Sequence, residues 1–231
     1  MSQFEARRAE KEKMIFEMLK DDRFSTASIL GRSLGLKRTA TFETLKQMKQ
    51  KGLLLQAKVE DQSLWGLTPQ GAFLADGRHF DPKRVSVITI RHDLAVQKAK
   101  VEAMVVGWNG FLAERTLRKM AVTERKTWLQ VPDAFAVSPK GRKVALEVER
   151  TAKTPKRYSA IFNCYCQMLS DKTIQEVVYI CPEDICRRLE RLFLRIETMK
   201  VDDKVHTFND SFRKRFHFVT CEGWADYAKD L

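Results

Sequence analysis

The chain has 231 residues, with 42 Lys and Arg against 30 Asp and Glu, giving a formal net charge of +12 at pH 7 and a pI near 9.6. Its 44% hydrophobic and 31% charged residues suffice for one sizeable core plus a small module and exclude wholesale disorder. No apolar run approaches the roughly 20 residues of a membrane-spanning helix, so no membrane insertion is expected, and the excess of cations points to a polyanionic partner.

Residues 1–80 hold 14 cations and 10 acids, which leaves 28 and 20 for the remainder. Both parts can therefore meet a phosphate backbone, with the salt dependence that such binding carries, although surplus Lys and Arg also serves solubility. The opening MSQFEARRAEKEK has no apolar h-region and is too acidic for a transit peptide, so the cytoplasm is the expected location. Five cysteines, at 164, 166, 181, 186 and 221, are an odd number in a chain of that kind and predict reduced thiols. Cys164 and Cys166 fall about 200° apart around a helix, and Cys181 and Cys186 have no matching pair, which argues against structural zinc.

In chain order, residues 11–20 place Met14, Ile15, Met18 and Leu19 at helical spacing, 26–34 make a second short helix, and 37–51 a third with Phe42, Leu45 and Met48 inward. Gly35 sits at the turn and Gly52 ends the third helix. Residues 53–59 and 63–67 alternate as two strands around Glu60-Asp61-Gln62, and Thr68-Pro69 opens a final short helix. This order predicts a winged helix-turn-helix over residues 1–76. Its third helix would enter the major groove and present Lys37, Arg38, Thr39, Thr41 and Lys46 to DNA; protein docking is the alternative for such a trio of helices. Residues 77–82, GRHFDP, are the candidate linker.

From residue 83 the pattern changes to a mixed α+β one. It predicts a strand at 85–90, a helix at 94–106, strands at 128–137 and 143–149, a helix at 155–169, a buried strand at 176–181, an amphipathic helix at 183–198 and a last strand at 215–221. No internal repeat or low-complexity segment interrupts it.

Chemistry concentrates at 128–150, WLQVPDAFAVSPKGRKVALEVER. Ser138-Pro139-Lys140-Gly141 has Pro in the second turn position and Gly in the fourth, so the arms fold into a hairpin that brings Asp133 opposite residues 146–148. Glu147 and Glu149 share a strand face with Lys143 and Ala145, while Val144, Leu146 and Val148 face the other way. Asp133 has Val131, Phe135 and Val137 as same-face neighbours, where an unpaired charge is expensive. Three convergent carboxylates suit Mg²⁺ or Mn²⁺; a solvated strand face paired with Arg150 and Lys143 is the plainer alternative. Behind Glu149 follow Arg150, Lys153, Lys156 and Arg157 without an intervening acid, a basic run able to hold a phosphate. Tyr158 and Tyr165 lie seven apart on the next helix, as core residues or, for Tyr158, as a nucleophile.

Pro132-Asp133, a short hairpin and then Glu147-Val148-Glu149 resemble the PD-(D/E)xK nuclease motif, in a variant with glutamate in place of its lysine. Together with IRHDLAV at 90–96, LAERTLR at 112–118 and the tyrosine-bearing helix after Pro155, they resemble the replication-relaxation family and the MobC-class plasmid relaxases over roughly residues 10–170. The resemblance implies a restriction-endonuclease-like mixed-sheet domain at 83–231 and a site- and strand-specific endonuclease that nicks plasmid DNA at the transfer origin to start conjugative mobilisation. It implies Asp133, Glu147 and Glu149 as metal ligands, with Glu114 of LAERTLR a further acid, and accessory mobilisation and type IV coupling proteins as partners. The missing motif lysine leaves the general base unassigned, with Lys153 or Lys156 as replacements. His92 and Asp93 lie in the shared IRHDLAV, where a helix cap is the simpler role for Asp93.

The four histidines, at 79, 92, 206 and 217, are too scattered for a histidine-cluster relaxase. Neither a P-loop nor a GxGxxG is present. Two classes remain: a metal-dependent DNA-nicking enzyme, and a non-enzymatic DNA-binding regulator or plasmid replication initiator.

Overall fold

Helix caps and glycine stops organise the first third of the computed structural model, which describes residues 3–123, 128, 130–202 and 204–231. After α1 (Gln3–Asp22) and a short strand β1 (Phe24–Thr26), the Thr26 hydroxyl accepts the Ile29 N–H at 3.3 Å and starts α2 (Ala27–Ser33). Helix α3 (Arg38–Gln50) ends in a Schellman motif: Gly52 has φ +72°, its N–H donates to the Lys49 carbonyl, and the Leu53 N–H donates to the Met48 carbonyl at 3.0 Å. Strands β2 (Leu54–Val59) and β3 (Gln62–Leu67) form a tight hairpin, and β1 joins it to give the antiparallel order β1-β3-β2. Helix α4 (Pro69–Leu74) follows. Ile15, Leu19, Leu30, Leu45, Met48, Leu54 and Trp65 fill the core beneath.

Two readings of the sequence are corrected next to this core. Residues 77–82 are not a loose linker: Phe80 donates its N–H to the Leu67 carbonyl at 2.7 Å and is buried with Phe24, Leu64 and Ile90. Residues 85–90 are not a strand but the start of a helix, α5 (Val87–Val105). Strand preference of such a β-branched run spans only about 1 kcal/mol. Burial of a large aliphatic side chain is worth about 1.5–3 kcal/mol, and Ile90, Leu94, Gln97 and Val101 reach the interior at helical spacing while Ile88 stays 90% exposed. The Gln97 amide donates to the Phe24 carbonyl at 2.8 Å. Asp93 therefore lies inside α5 rather than at a cap. The first compact unit accordingly runs through Val101 and the second from Glu102 to Leu231.

Gly66 marks where Phe80 seals the first unit, because a Cβ added there would fall within the Phe80 side chain. Gly66→Ala is expected to lower stability by about 1–3 kcal/mol through overpacking. Urea unfolding followed by the buried Trp65 measures it. Adding Phe80→Ala should cost less than the sum of the two single changes, and full additivity would contradict this packing.

The second unit carries β4 (Asn109–Ala113), α6 (Glu114–Thr123), β5 (Ala134–Val137), β6 (Lys143–Val148), α7 (Pro155–Ser170), β7 (Glu176–Cys181), α8 (Glu183–Leu194), β8 (Thr198–Val201), β9 (Lys204–Thr207), α9 (Asp210–Arg213), β10 (Phe216–Thr220) and α10 (Trp224–Asp230). Its five-stranded sheet has the order β10-β7-β6-β5-β4, parallel from β10 to β6 and antiparallel from β6 to β4. The expected β5–β6 turn is present: Gly141 has φ +76° and donates to the Ser138 carbonyl at 2.8 Å. The first arm is shorter than expected, and residue 129 within it lies outside the described residues. Helix α8 stops at Leu194 rather than reaching 198, where the hairpin β8–β9 begins. Tyr158, Ile161, Phe162 and Tyr165 of α7, with Leu189 and Phe193 of α8, pack on Ala145, Val177, Tyr179 and Phe216 of the sheet, the one-sided stripe of an amphipathic helix.

The architecture is mixed α+β with three sheets among the described residues. None of the five cysteines is in a disulfide. No described helix is long and apolar enough to cross a membrane.

Candidate functional site

Strand register decides which acids meet. The pairs Ala113↔Ala134 and Ala134↔Leu146, continued by one residue, put Glu114, at the start of α6, and Asp133, just before β5, in line with Glu147 of β6, and Glu147 pairs with Tyr179 of β7. Residues directly opposite in a sheet share a face. The Glu114 N–H also donates to the Asp133 carbonyl at 3.0 Å. Asp133 is fixed where strand β5 begins, because its Oδ2 accepts the Val148 backbone N–H at 2.7 Å.

Glu147 is 4% exposed. Its Oε1 accepts hydrogen bonds from Gln130 Nε2 at 3.0 Å and from the hydroxyl of the fully buried Tyr165. Burial above all, and then the facing charge of Asp133, push its pKa up to about 8, against the opposing pull of the Tyr165 and Gln130 hydrogen bonds and of Lys153. Burial and the Glu147 charge hold the Tyr165 phenol well above its ordinary range, as a neutral donor. Tyr165 and Gln130 are the partners of Glu147 that sequence reasoning left out. Gln130 stands just before the Val-Pro-Asp of the motif, and the helical spacing of Tyr165 marks it as a core residue without pointing to the acids.

The other two expected ligands are ion-paired. Glu149, 5% exposed, forms an ion pair with Lys153, and Glu114 forms one with Arg118, Nε to Oε1 at 2.8 Å. Each cation lies four residues after its acid. Of the four expected acids, Glu149 and Glu114 are thus ion-paired here, while Asp133 and Glu147 face each other. Among the described residues no three His, Cys, Asp or Glu side chains form a metal-holding group. The pair itself fits a hard divalent cation in donor type, and a cation there would offset both the burial and the like-charge repulsion that raise the Glu147 pKa.

Lys153 also donates its backbone N–H to the Tyr158 hydroxyl at 2.9 Å, and its ammonium lies 5.8 Å from the centre of that ring. Tyr158 is only 1% exposed, and burial pushes its phenol up to about 12, an environment that opposes a nucleophilic phenolate. Arg150, Lys156 and Arg157 are exposed. Lys156 and Arg157 occupy the first turn of the 16-residue α7, capped by the Thr154 hydroxyl. Cations there add to the positive end of the helix dipole, a balance that a bound anion relieves.

In the first unit, Lys37 at the N-cap of α3, Arg38, Thr39 and Lys46 are exposed as expected. Thr41 is not. It is buried, its hydroxyl donates to the Lys37 carbonyl at 3.1 Å, and it fills the space above Gly31 of α2. The Thr44 hydroxyl likewise donates to the Ala40 carbonyl at 2.9 Å. Satisfied by the preceding turn, these threonines serve as inner-face residues. That rotates Phe42 outward, where it is 41% exposed beneath the Arg38 guanidinium, 5.9 Å from its ring centre. Its expected inward position is corrected accordingly.

Comparison of the chain with family models, with curated proteins and with solved structures finds no match.

Proposed function

We propose that the chain is a metal-dependent DNA-nicking enzyme of the relaxase type, in which a winged helix-turn-helix unit binds duplex DNA and a restriction-endonuclease-like unit cuts one strand. The observation that carries this reading is the facing Asp133–Glu147 pair, Asp133 just before β5 and Glu147 on the neighbouring β6, with Glu147 buried and held by Tyr165 and Gln130. Bound Mg²⁺ or Mn²⁺ would polarise a phosphodiester and lower the pKa of a coordinated water. Asp133 and Glu147 hold the ion, and Tyr165 and Gln130 orient Glu147. The Glu149–Lys153 pair keeps an ammonium beside the acids, in the role of the lysine that the motif lacks. Arg150, Lys156 and Arg157, with the start of α7, hold the scissile phosphate. The substrate is plasmid transfer-origin DNA, met in the cytoplasm with accessory mobilisation and type IV coupling proteins.

The test is conversion of supercoiled plasmid carrying the cognate origin to open circles in Mg²⁺ or Mn²⁺, and its absence overturns the enzymatic reading. Because Tyr158 is buried, Tyr158→Phe is expected to leave nicking within about threefold of wild type. No protein should remain attached to the nicked strand after denaturation of either form. A covalent adduct that disappears in the variant would instead make Tyr158 the nucleophile.

A second reading follows from the same site. Glu114 and Glu149 are engaged by Arg118 and Lys153, which suits a non-enzymatic winged-helix regulator or replication initiator whose α/β unit only binds DNA. Binding of origin DNA without cleavage in either ion would favour it.

A further inference from the structure

Helix α3 carries an aromatic ring where a purely backbone-binding helix would carry only polar side chains. Phe42 stands on the outward face one turn beyond Arg38 and one turn before Lys46, with Arg38 stacked over it. The ring and guanidinium border an open recess of about 620 Å³ between α2 and α3, whose rim also carries Arg32, Leu36 and Ala27. Lys37, Lys46 and Lys49 are exposed around it, and Glu43 is the one acid of α3. The charge of this face selects a polyanion, and its apolar centre selects one that offers an apolar group.

We propose that α3 reads a thymine in the major groove of duplex DNA, Phe42 contacting its C5 methyl group while Arg38 takes the O6 and N7 acceptors of a nearby guanine. The inference rests on the reading that the first unit binds duplex DNA. In the major groove the thymine methyl is the apolar feature and guanine presents the acceptor pair that an Arg fork matches. Residues at the start of a recognition helix face base edges. Arg38 and Phe42 are four residues apart, a rise of about 6 Å along a helix, against roughly 3.4 Å per base pair. The two contacts therefore fall one or two base pairs apart.

The full chain is used to select a duplex from a randomised library, and the selected duplex is then made with uracil in place of each thymine in turn, which removes one methyl group and nothing else. At one position, within two base pairs of a guanine, uracil is expected to weaken wild-type binding roughly fourfold. Phe42→Ala should weaken binding to the thymine duplex roughly tenfold and be indifferent to uracil at that position, while Phe42→Leu retains part of the discrimination. Uracil without effect at every position, or a Phe42→Ala chain that binds and discriminates like wild type, overturns the contact while leaving DNA binding in place. A library from which no duplex is selected overturns both.

Discussion

Asp133→Asn is expected to reduce nicking of the cognate plasmid on the order of 10³-fold while leaving DNA affinity within about twofold. The asparagine carbonyl can still accept the Val148 N–H that Asp133 accepts at 2.7 Å, so the end of strand β5 stays anchored. Asp133→Ala would leave that donor unsatisfied at a cost of about 1–3 kcal/mol, which mixes folding with chemistry. Removing the charge also removes the repulsion on Glu147, so the Asn variant should be at least as heat-stable as wild type without divalent ions. Lost activity with unchanged melting is the signature of a working carboxylate. Activity retained by a well-folded Asp133→Asn chain would show that the hairpin is only structural.

Glu147 is expected to make stability fall as pH rises. Its carboxyl is held at about 8 in the folded chain against an ordinary 4.5, so the folded state keeps a proton that the unfolded state has released. That preference is fully present below about pH 4.5 and is lost progressively as pH climbs to about 8, with a limiting slope of about 1.4 kcal/mol per pH unit for one proton. Urea midpoints measured across pH 5–8.5 should therefore decline more steeply for wild type than for Glu147→Gln. Saturating Mn²⁺ should flatten the wild-type profile, because binding expels the proton, and metal affinity should rise about tenfold per pH unit until about pH 8. Parallel pH profiles for the two chains would mean that Glu147 is already ionised.

Where short-range rules acted alone, the sequence was a good guide. Gly52 as a stop and Ser138-Pro139-Lys140-Gly141 as a turn are local devices, and the register that turn sets brings Asp133 to Glu147. The departures arise from competition between local and distant terms. The β-branched run at 85–90 became helix because Ile90 and Val101 find a core beside Phe24, Phe80 and Trp65. Phe42 points outward because Thr41 and Thr44 turn their hydroxyls onto the preceding carbonyls and take the inner positions. The acids were visible as residue types, but alternation along a strand could not reveal that Lys153 and Arg118, each four residues on in number, would pair with Glu149 and Glu114. Nor could it reveal that a tyrosine of α7, packed on that face of the sheet, would reach Glu147.

Manganese binding, counted by its electron paramagnetic resonance signal at pH 8.5, tests most directly whether Asp133 and Glu147 form a metal centre. Wild type and Glu149→Gln should each retain bound Mn²⁺, and Asp133→Asn and Glu147→Gln should lose it. Wild type that leaves all Mn²⁺ free, or variants that bind it as tightly as wild type, would contradict a metal centre at this hairpin.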